Sequence, residues 1–180
     1  MAKPKISSDW MAGCAGCHMS LLDIDERIVE IAELVDFRST PITDLKEPDE
    51  AGVDVGILEG GVNNTYGEEV AHKFRKRCKL VVALGDCAVF GGVPAMRNFF
   101  TLEEALRRAY VETESTDESG IIPSDPELAQ MTKVRALHEV VPVDIFVPGC
   151  PPSADTIYYV LSELAQGRKP NLEDGKLQWD

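Results

Sequence analysis

KLVVALGDC, residues 79–87, is an apolar run that ends in a glycine and a cysteine. Its valines and leucines follow one another without alternation, which is typical of a strand buried on both faces in a parallel sheet. The amphipathic segment GEEVAHKFRKRC, residues 67–78, precedes this run and predicts a covering helix. Together the two segments predict a β/α unit whose strand ends near Gly85, so that Cys87 lies in the loop beyond it.

The same alternation of strand and helix extends in both directions along the chain. Apolar runs predict further strands at 3–10, 35–40, 53–60 and 143–149. Helical spacing predicts further helices at 18–34, 101–112 and 153–167. In the last of these, Ser153 is the predicted N-cap and Gly167 the glycine that ends the helix. Strands alternating with helices predict a parallel sheet covered on both faces, and the length suits one domain, 1–180.

The composition excludes several classes of partner. The chain has 180 residues and a net charge of −13, which argues against binding to nucleic acid or to an anionic membrane. No run approaches the roughly 20 apolar residues that span a bilayer. The first residues contain neither an apolar signal region nor a twin-arginine pair. We therefore expect a cytoplasmic protein.

The cysteines follow the predicted strands. Cys14 and Cys17, in GCAGCH (13–18), come after the first strand, Cys87 after the strand at 79–85, and Cys150 after the last. Ligands of open α/β sheets bind beyond the carboxyl ends of the strands, so these four cysteines are predicted to converge at one edge. Cys78 ends a helix and begins a strand, which places it toward the opposite edge.

Four converging thiolates can hold either a zinc ion or an iron–sulfur cluster. Structural zinc commonly uses two close pairs, whereas this set has one pair and two single cysteines. The singles lie in GDCAVFGGVP (85–94) and PGCPPS (148–153), where glycine allows a bulky cofactor to approach the backbone. This setting favours an iron–sulfur cluster and leaves zinc and redox-active thiols as alternatives. The sequence CAGCH also matches a c-type haem site, but that interpretation leaves Cys87 and Cys150 without a role.

Glu59 lies in LEGGVNN (58–64), directly after a predicted strand, and is expected at the same edge. The loop lacks the spacing of known phosphate-binding glycine motifs, so a turn beside the cofactor is favoured over a phosphate site. Glu59 itself is either a proton relay or a carboxylate that accepts backbone N–H bonds. His18 is expected to be a structural residue in the first turn of a helix.

Four motifs, in this order, resemble the small subunit of nickel–iron hydrogenases: CAGC, LEGG, ALGDCAVFGG and VPGCPPSADTI. The resemblance covers most of residues 5–167. A related subunit of respiratory complex I has adjacent cysteines where this chain has Cys14-Ala-Gly-Cys17. The resemblance implies a flavodoxin-like, doubly wound fold. It also implies that Cys14, Cys17, Cys87 and Cys150 bind the proximal 4Fe–4S cluster, which exchanges electrons with a nickel–iron site in a separate large subunit.

The differences from other members of this family indicate which type of hydrogenase small subunit is expected. Many small subunits continue into a second cysteine-rich region with two more clusters, whereas this chain has only Cys78 left over, which implies one cluster. Short, unexported small subunits resemble the cytoplasmic NAD-reducing (bidirectional) hydrogenases, in which a diaphorase module of iron–sulfur and flavin subunits takes the electrons. That group allows an FMN in this subunit, although no motif here supports one. The alternatives are a complex I-like iron–sulfur subunit and a structural zinc-binding α/β module.

Two further expectations follow from the hydrogenase resemblance. An anionic cluster and desolvation would raise the pKa of a nearby carboxyl, so Glu59 is predicted to relay protons. Apolar residues near the cluster are predicted to form a large, permanent interface with the catalytic subunit, and these are Trp10, Met11, Val89, Phe90 and Val93.

Overall fold

The computed structural model describes residues 3–117, 120–173 and 177. In chain order the elements are β1 (Lys5–Trp10), α1 (Gly16–Leu22), α2 (Arg27–Leu34), β2 (Asp36–Ser39), β3 (Val53–Glu59), β4 (Val62–Asn64), α3 (Thr65–Arg77), β5 (Cys78–Leu84), α4 (Gly85–Phe90), α5 (Leu102–Tyr110), β6 (Met131–Arg135), β7 (Ile145–Val147) and α6 (Ala154–Ala165). Two 3-10 helices, Val93–Phe99 and Leu137–Glu139, complete them.

Five strands form one parallel sheet in the order β2-β1-β3-β5-β7. This is the strand order of flavodoxin-like doubly wound sheets, with the topological switch point between β1 and β3. The predicted fold class is therefore confirmed. The predicted domain 1–180 extends past the described residues at both ends, so its bounds stay a prediction.

Each face of the sheet has its own apolar core. Along β5, Val82 and Leu84 pack into the core beneath α1, α2 and α6, while Val81 and Ala83 pack into the core beneath α3 and α4. This is why the valine and leucine run of β5 shows no alternation in sequence: both of its faces are buried. No helix in the described part of the chain is both long and apolar enough to cross a membrane.

The prediction of one helix at 18–34 is wrong in one respect, because this segment forms two helices, α1 and α2. Asp25 has a left-handed backbone, with φ of +54°, and its carbonyl accepts the N–H of Ile28. Aspartate tolerates this conformation and favours turns over helix interiors. The apolar spacing continues across the break because both helices pack against the same core.

The other helix ends follow their capping residues. Helix α3 begins two residues earlier than predicted because the side chain of Asn64 accepts the N–H of Gly67 at 2.7 Å. Ser153 caps α6 as predicted by accepting the N–H of Thr156 at 3.2 Å. The small antiparallel pair β4–β6 was not predicted, since its strands are short and distant in sequence.

Candidate metal centre

Three strands lead to the cysteines, β1, β5 and β7, and β3 leads to the turn after Glu59; all four strands end in register. Trp10 of β1 pairs with Glu59 of β3, Glu59 with Leu84 of β5, and Leu84 with Val147 of β7. The chain therefore leaves the sheet at the same height in all four strands. Directly beyond this edge the fold brings together the four cysteines predicted to converge: Cys14, Cys17, Cys87 and Cys150. Cys17 lies in the first turn of α1, and Cys87 lies in α4 instead of the predicted loop.

The four thiols are close enough to act on one another electrostatically. Burial is the main cause that raises the pKa of the Cys17 thiol well above its usual value, followed by the charges of Glu59, Cys87, Cys14 and Cys150. Burial also raises the pKa of Cys87, and the neighbouring thiols Cys150 and Cys14 add to the rise. A protonated, buried thiol is a poor nucleophile, which argues against free redox-active cysteines at these two positions. A bound cation reverses this effect and holds the ligands as thiolates.

Cys78 lies apart from this group, as predicted. It begins β5 at the opposite end of the strand, where its sulfur packs against Gly56 in the core beneath α3. Burial raises its pKa to about 12, and the charged group that acts on it is Arg75. The thiol is therefore a packed core group in this fold.

Glycines form a cradle around three of the four sulfurs. A Cβ atom built on Gly85 would lie 2.2 Å from Sγ of Cys17. One built on Gly92 would lie 2.9 Å from Sγ of Cys87, and one on Gly16 would lie 3.0 Å from Sγ of Cys14. Any larger residue would push against a sulfur at each of these positions. The backbone N–H of Gly16 also points at Sγ of Cys14, at 3.4 Å from the sulfur.

The donor set fits a polynuclear cofactor better than a single ion. In the described part of the chain, no three His, Cys, Asp or Glu side chains are close enough together to hold one metal ion. A tetrahedral zinc site, with Zn–S bonds of about 2.3 Å, would bring its sulfurs to about 3.8 Å from one another. The four thiols act on one another electrostatically, but in the described residues they are not grouped closely enough for such a site.

Glu59 accepts hydrogen bonds from the first turn of α1, which carries Cys17. Its Oε1 accepts the backbone N–H of Cys17 at 3.3 Å, and its Oε2 accepts the backbone N–H of His18 at 2.9 Å. The ring Nδ1 of His18 donates to the same Oε2 at 2.6 Å. The side chains of Glu59 and His18 are both only 2% exposed. One of the two interpretations of Glu59 is a carboxylate that accepts backbone N–H bonds. The structure contains these bonds.

The pKa of Glu59 lies below its usual value in the chain without a cluster, so its predicted rise beside an anionic cluster stays a prediction. Burial, the largest single influence, does raise this pKa, but the hydrogen bonds and the charge of His18 outweigh it and hold the pKa below its usual value. The prediction omitted this partner because nothing in the sequence pattern pairs His18 with Glu59. The role of Glu59 as a proton relay stays a prediction.

His18 also removes support from the haem interpretation of CAGCH. Its Nε2 lies 3.0 Å from Oγ of Ser8, so both ring nitrogens are engaged by protein atoms. The ring packs edge-on against Trp10, with 5.5 Å between the ring centroids. His18 is thus a structural residue, as expected, but it is buried among polar partners.

The loop after β3 is a turn beside the cysteines, as expected from its sequence. Gly60 has φ of +91°, and a Cβ there would lie 2.8 Å from the backbone of Met11. Gly61 and Ala12 exchange backbone hydrogen bonds of 2.8 and 3.0 Å. The loop therefore fastens the segment before Cys14 to the end of β3.

The predicted apolar surface is present in part. Val89 is buried in the core and Met11 packs against it, so these two residues do not form a free surface. Trp10, Phe90 and Val93 are exposed, by 37%, 62% and 67%. The surface continues along the 3-10 helix, which was not predicted, and there Met96, Phe99 and Phe100 are also exposed. We call Phe90, Val93, Met96, Phe99 and Phe100 the apolar ridge, and it begins three residues after Cys87.

Comparison with known proteins identifies relatives of the whole chain. Residues 14–164 match the family described as NADH ubiquinone oxidoreductase, 20 Kd subunit. The chain is 39% identical to the delta subunit of the NAD-reducing hydrogenase HoxS of Cupriavidus necator, over 99% of this chain and 86% of that subunit. It is 32% identical to the iron-sulfur subunit of an F420-non-reducing hydrogenase of Archaeoglobus profundus, over 89% of this chain.

The chain spans only 55% of that archaeal subunit, and less than two thirds of several other hydrogenase subunits that it matches. A chain in the crystal structure of an NAD⁺-reducing [NiFe]-hydrogenase in the H2-reduced state superposes with a TM-score of 0.94 at 38% identity. The match covers 99% of this chain and 100% of that one. The chain thus belongs to the NADH ubiquinone oxidoreductase 20 Kd subunit family, and within that family it is related to the small subunit of NAD-reducing nickel–iron hydrogenases.

Proposed function

We propose that this chain is the electron-transfer subunit of a soluble nickel–iron hydrogenase. In this role it relays electrons through one 4Fe–4S cluster bound by Cys14, Cys17, Cys87 and Cys150. The electrons pass between the nickel–iron site of a large subunit and a diaphorase module of iron–sulfur and flavin subunits that reacts with NAD. The chain is not active alone, and the complex is cytoplasmic.

The observation that carries this proposal is the set of four thiols at one in-register strand edge, with glycines against three of the sulfurs. When bound, the cluster supplies a one-electron redox centre whose potential depends on nearby charge, hydrogen bonds and exposure. The chain supplies the thiolates and backbone hydrogen bonds to two of their sulfurs, from the N–H of Gly16 to Cys14 and from the N–H of Val93 to Cys87. The name of the Archaeoglobus relative, an iron-sulfur subunit, supports the same cofactor class.

The exposure of the cysteines supports a partner at this edge. Cys17 is buried, whereas Cys14 and Cys150 are exposed. A cluster bound here would therefore be enclosed on the Cys17 side and open to solvent on the other. The apolar ridge begins three residues after Cys87 in sequence, and exposed apolar patches commonly mark a protein interface. We assign the ridge and the open side of the site to the large subunit.

The experiment is purification of the chain with its native partners, followed by iron, sulfide and zinc analysis and an assay of hydrogen-dependent NAD reduction. The proposal expects a brown complex with about four iron and four sulfide per chain, in addition to those of its partners, and NAD reduction that needs hydrogen. A colourless chain that contains zinc would instead support the structural zinc module.

The family match favours one second candidate, a complex I-like subunit that serves a quinone or a ferredoxin. The same purified complex separates the two candidates. A hydrogenase reduces NAD with hydrogen, whereas the alternative would show no hydrogen uptake and would transfer electrons to a quinone or a ferredoxin.

A further inference from the structure

His18 is a buried imidazole with no role in the proposed electron transfer. It lies in the first turn of α1, next to Cys17 in sequence, and it joins three elements of the fold. Its Nδ1 contacts Glu59 at the end of β3, and its Nε2 contacts Ser8 of β1. With both ring nitrogens engaged, neither is free to bind a metal.

Glu59 is the link between this imidazole and the cysteine. The first N–H groups of a helix have no partner within the helix itself, and here those of Cys17 and His18 are accepted by the two carboxylate oxygens. Hydrogen bonds to an ionised acceptor are stronger than those between neutral groups. The carboxylate therefore fixes the backbone of Cys17 relative to the end of β3.

The sulfur of Cys17 has little room to move. Its sulfur lies where a Cβ on Gly85 would be only 2.2 Å away, so the sulfur fills the space that the glycine leaves. Its thiol is also buried, so no solvent-filled gap absorbs a shift of the backbone. Whatever holds the carboxylate of Glu59 in place therefore also holds this sulfur in place.

The ring of His18 is the side chain that holds this carboxylate. The hydrogen bonds that Glu59 accepts come from the two backbone N–H groups and from Nδ1 of His18, which contacts Oε2 at 2.6 Å. The ring also contacts Ser8 through Nε2, and it packs against the ring of Trp10 in a T-shaped arrangement. Removal of the ring would leave a buried carboxylate with its two backbone donors and space in which to rotate.

We propose that His18 is a positioning residue for the cluster. Through Nδ1 it holds the carboxylate of Glu59 against the N–H groups of Cys17 and His18, and so it fixes the Cys17 thiolate. This inference rests on the proposed function, because it concerns how tightly the chain holds an iron–sulfur cluster. According to this proposal, the contact of the ring with Glu59 is what retains the cluster. The volume of the ring and its contact with Ser8 are not required for this.

Three substitutions in the assembled complex separate these contacts. His18→Asn places an amide nitrogen near the position of Nδ1 and keeps the contact with Glu59. His18→Gln reaches toward Ser8 instead, and His18→Leu keeps the volume but neither contact. The measurements are the rate of iron loss to a chelator and the EPR spectrum of the reduced cluster. The wild-type complex is measured first for iron and sulfide.

The proposal expects His18→Asn to lose iron within about twofold of the wild-type rate, with an unchanged EPR spectrum. It expects His18→Gln and His18→Leu to lose iron at least about tenfold faster, with altered spectra. If Gln is tolerated and Asn is not, or if all three variants behave alike, the proposal is overturned. A wild-type complex without iron would instead overturn the proposed function.

If the His18 variants fail to assemble, two other variants test whether the contact with Glu59 retains the cluster. Glu59→Asp keeps the charge but withdraws the carboxylate by one methylene from the N–H groups, and it is expected to lose iron at least about tenfold faster than the wild type. Ser8→Ala leaves the contact between Nδ1 and Glu59 intact and is expected to stay within about twofold. The opposite order for these two variants contradicts the proposal.

Discussion

Substitution of Gly85 by alanine is the sharpest test of the glycine cradle. The new Cβ would lie 2.2 Å from Sγ of Cys17. A relaxed contact needs about 3.5 Å, so the sulfur has to move by about 1.3 Å. Metal–ligand distances tolerate only about 0.2 Å. Because Cys17 is buried, the displacement falls on the ligand loop, and Gly85→Ala is expected to lower the iron bound by this chain to less than half.

The matched control is Gly167→Ala at the end of α6. Both glycines have a left-handed backbone, with φ of +82° at Gly85 and +72° at Gly167, so alanine costs roughly 1–2 kcal/mol in backbone strain at either position. A Cβ on Gly167 meets nothing within 4 Å. The control therefore carries the same backbone penalty without the contact with a sulfur.

The assay is iron and sulfide per chain in the purified complex, with thermal unfolding measured in parallel. Both variants are expected to unfold a few degrees below the wild type, at roughly 2–4 °C for each kcal/mol in a chain of this size. Only Gly85→Ala is expected to lose iron. Full iron content in Gly85→Ala would show that the cradle does not constrain Cys17, and equal loss in both variants would show that backbone strain alone is responsible.

Three other predictions concern the cysteine outside the site, the ridge and the carboxylate. Cys78→Ser is expected to leave the iron content unchanged, because Cys78 is a core residue at the opposite end of β5; loss of the cluster in this variant would contradict the ligand assignment. Phe99→Ser with Phe100→Ser is expected to abolish co-purification with the large subunit while the melting temperature changes by little, because both rings are exposed; retained co-purification would remove the ridge from the interface. Glu59→Gln keeps only one acceptor oxygen and cannot exchange a proton, so hydrogen turnover is compared per bound cluster; a relay predicts that this turnover slows, and unchanged turnover per cluster would end the relay hypothesis.

The sheet and the convergence of the four cysteines could be predicted because both depend on local pattern. The apolar run of β5 marks a strand buried on both faces, and parallel strands end at one edge whatever their order. Cys87 is three residues after Leu84, the last residue of β5, so the sequence alone places it just beyond the end of that strand. These features need no knowledge of contacts between distant residues.

The role of His18 could not be predicted, because it depends on such contacts. The ring meets Glu59, 41 residues away, and Ser8, 10 residues away. A histidine in the first turn of a helix is usually a surface residue, and only the packing of α1 against β1 and β3 turns it inward. The low pKa of Glu59 in the chain without a cluster could not be predicted for the same reason, since the partner that lowers this pKa is His18.

The surface ridge could not be predicted in full for a related reason. Val89 and Phe90 are adjacent and apolar, yet Val89 enters the core and Phe90 stays outside. They differ only in their position on the short helix α4, whose apolar pattern covers too few residues to give a face by periodicity. The 3-10 helix that follows has its own spacing, so its exposed phenylalanines could not be separated from core residues before the fold was known.

The uneven exposure of the four cysteines bears on how a cluster potential would be set in this protein. Cys17 lies in the first turn of α1 and contacts Gly85 and Glu59, so this chain alone determines the surroundings on that side. Cys14 and Cys150 are exposed, so the surroundings on their side are completed by whatever covers them. Exposure to solvent is one of the factors that set the potential of an iron–sulfur cluster. Under the proposed function, the chain would therefore set the charge and hydrogen bonds near Cys17, and the large subunit at the open edge would complete the tuning.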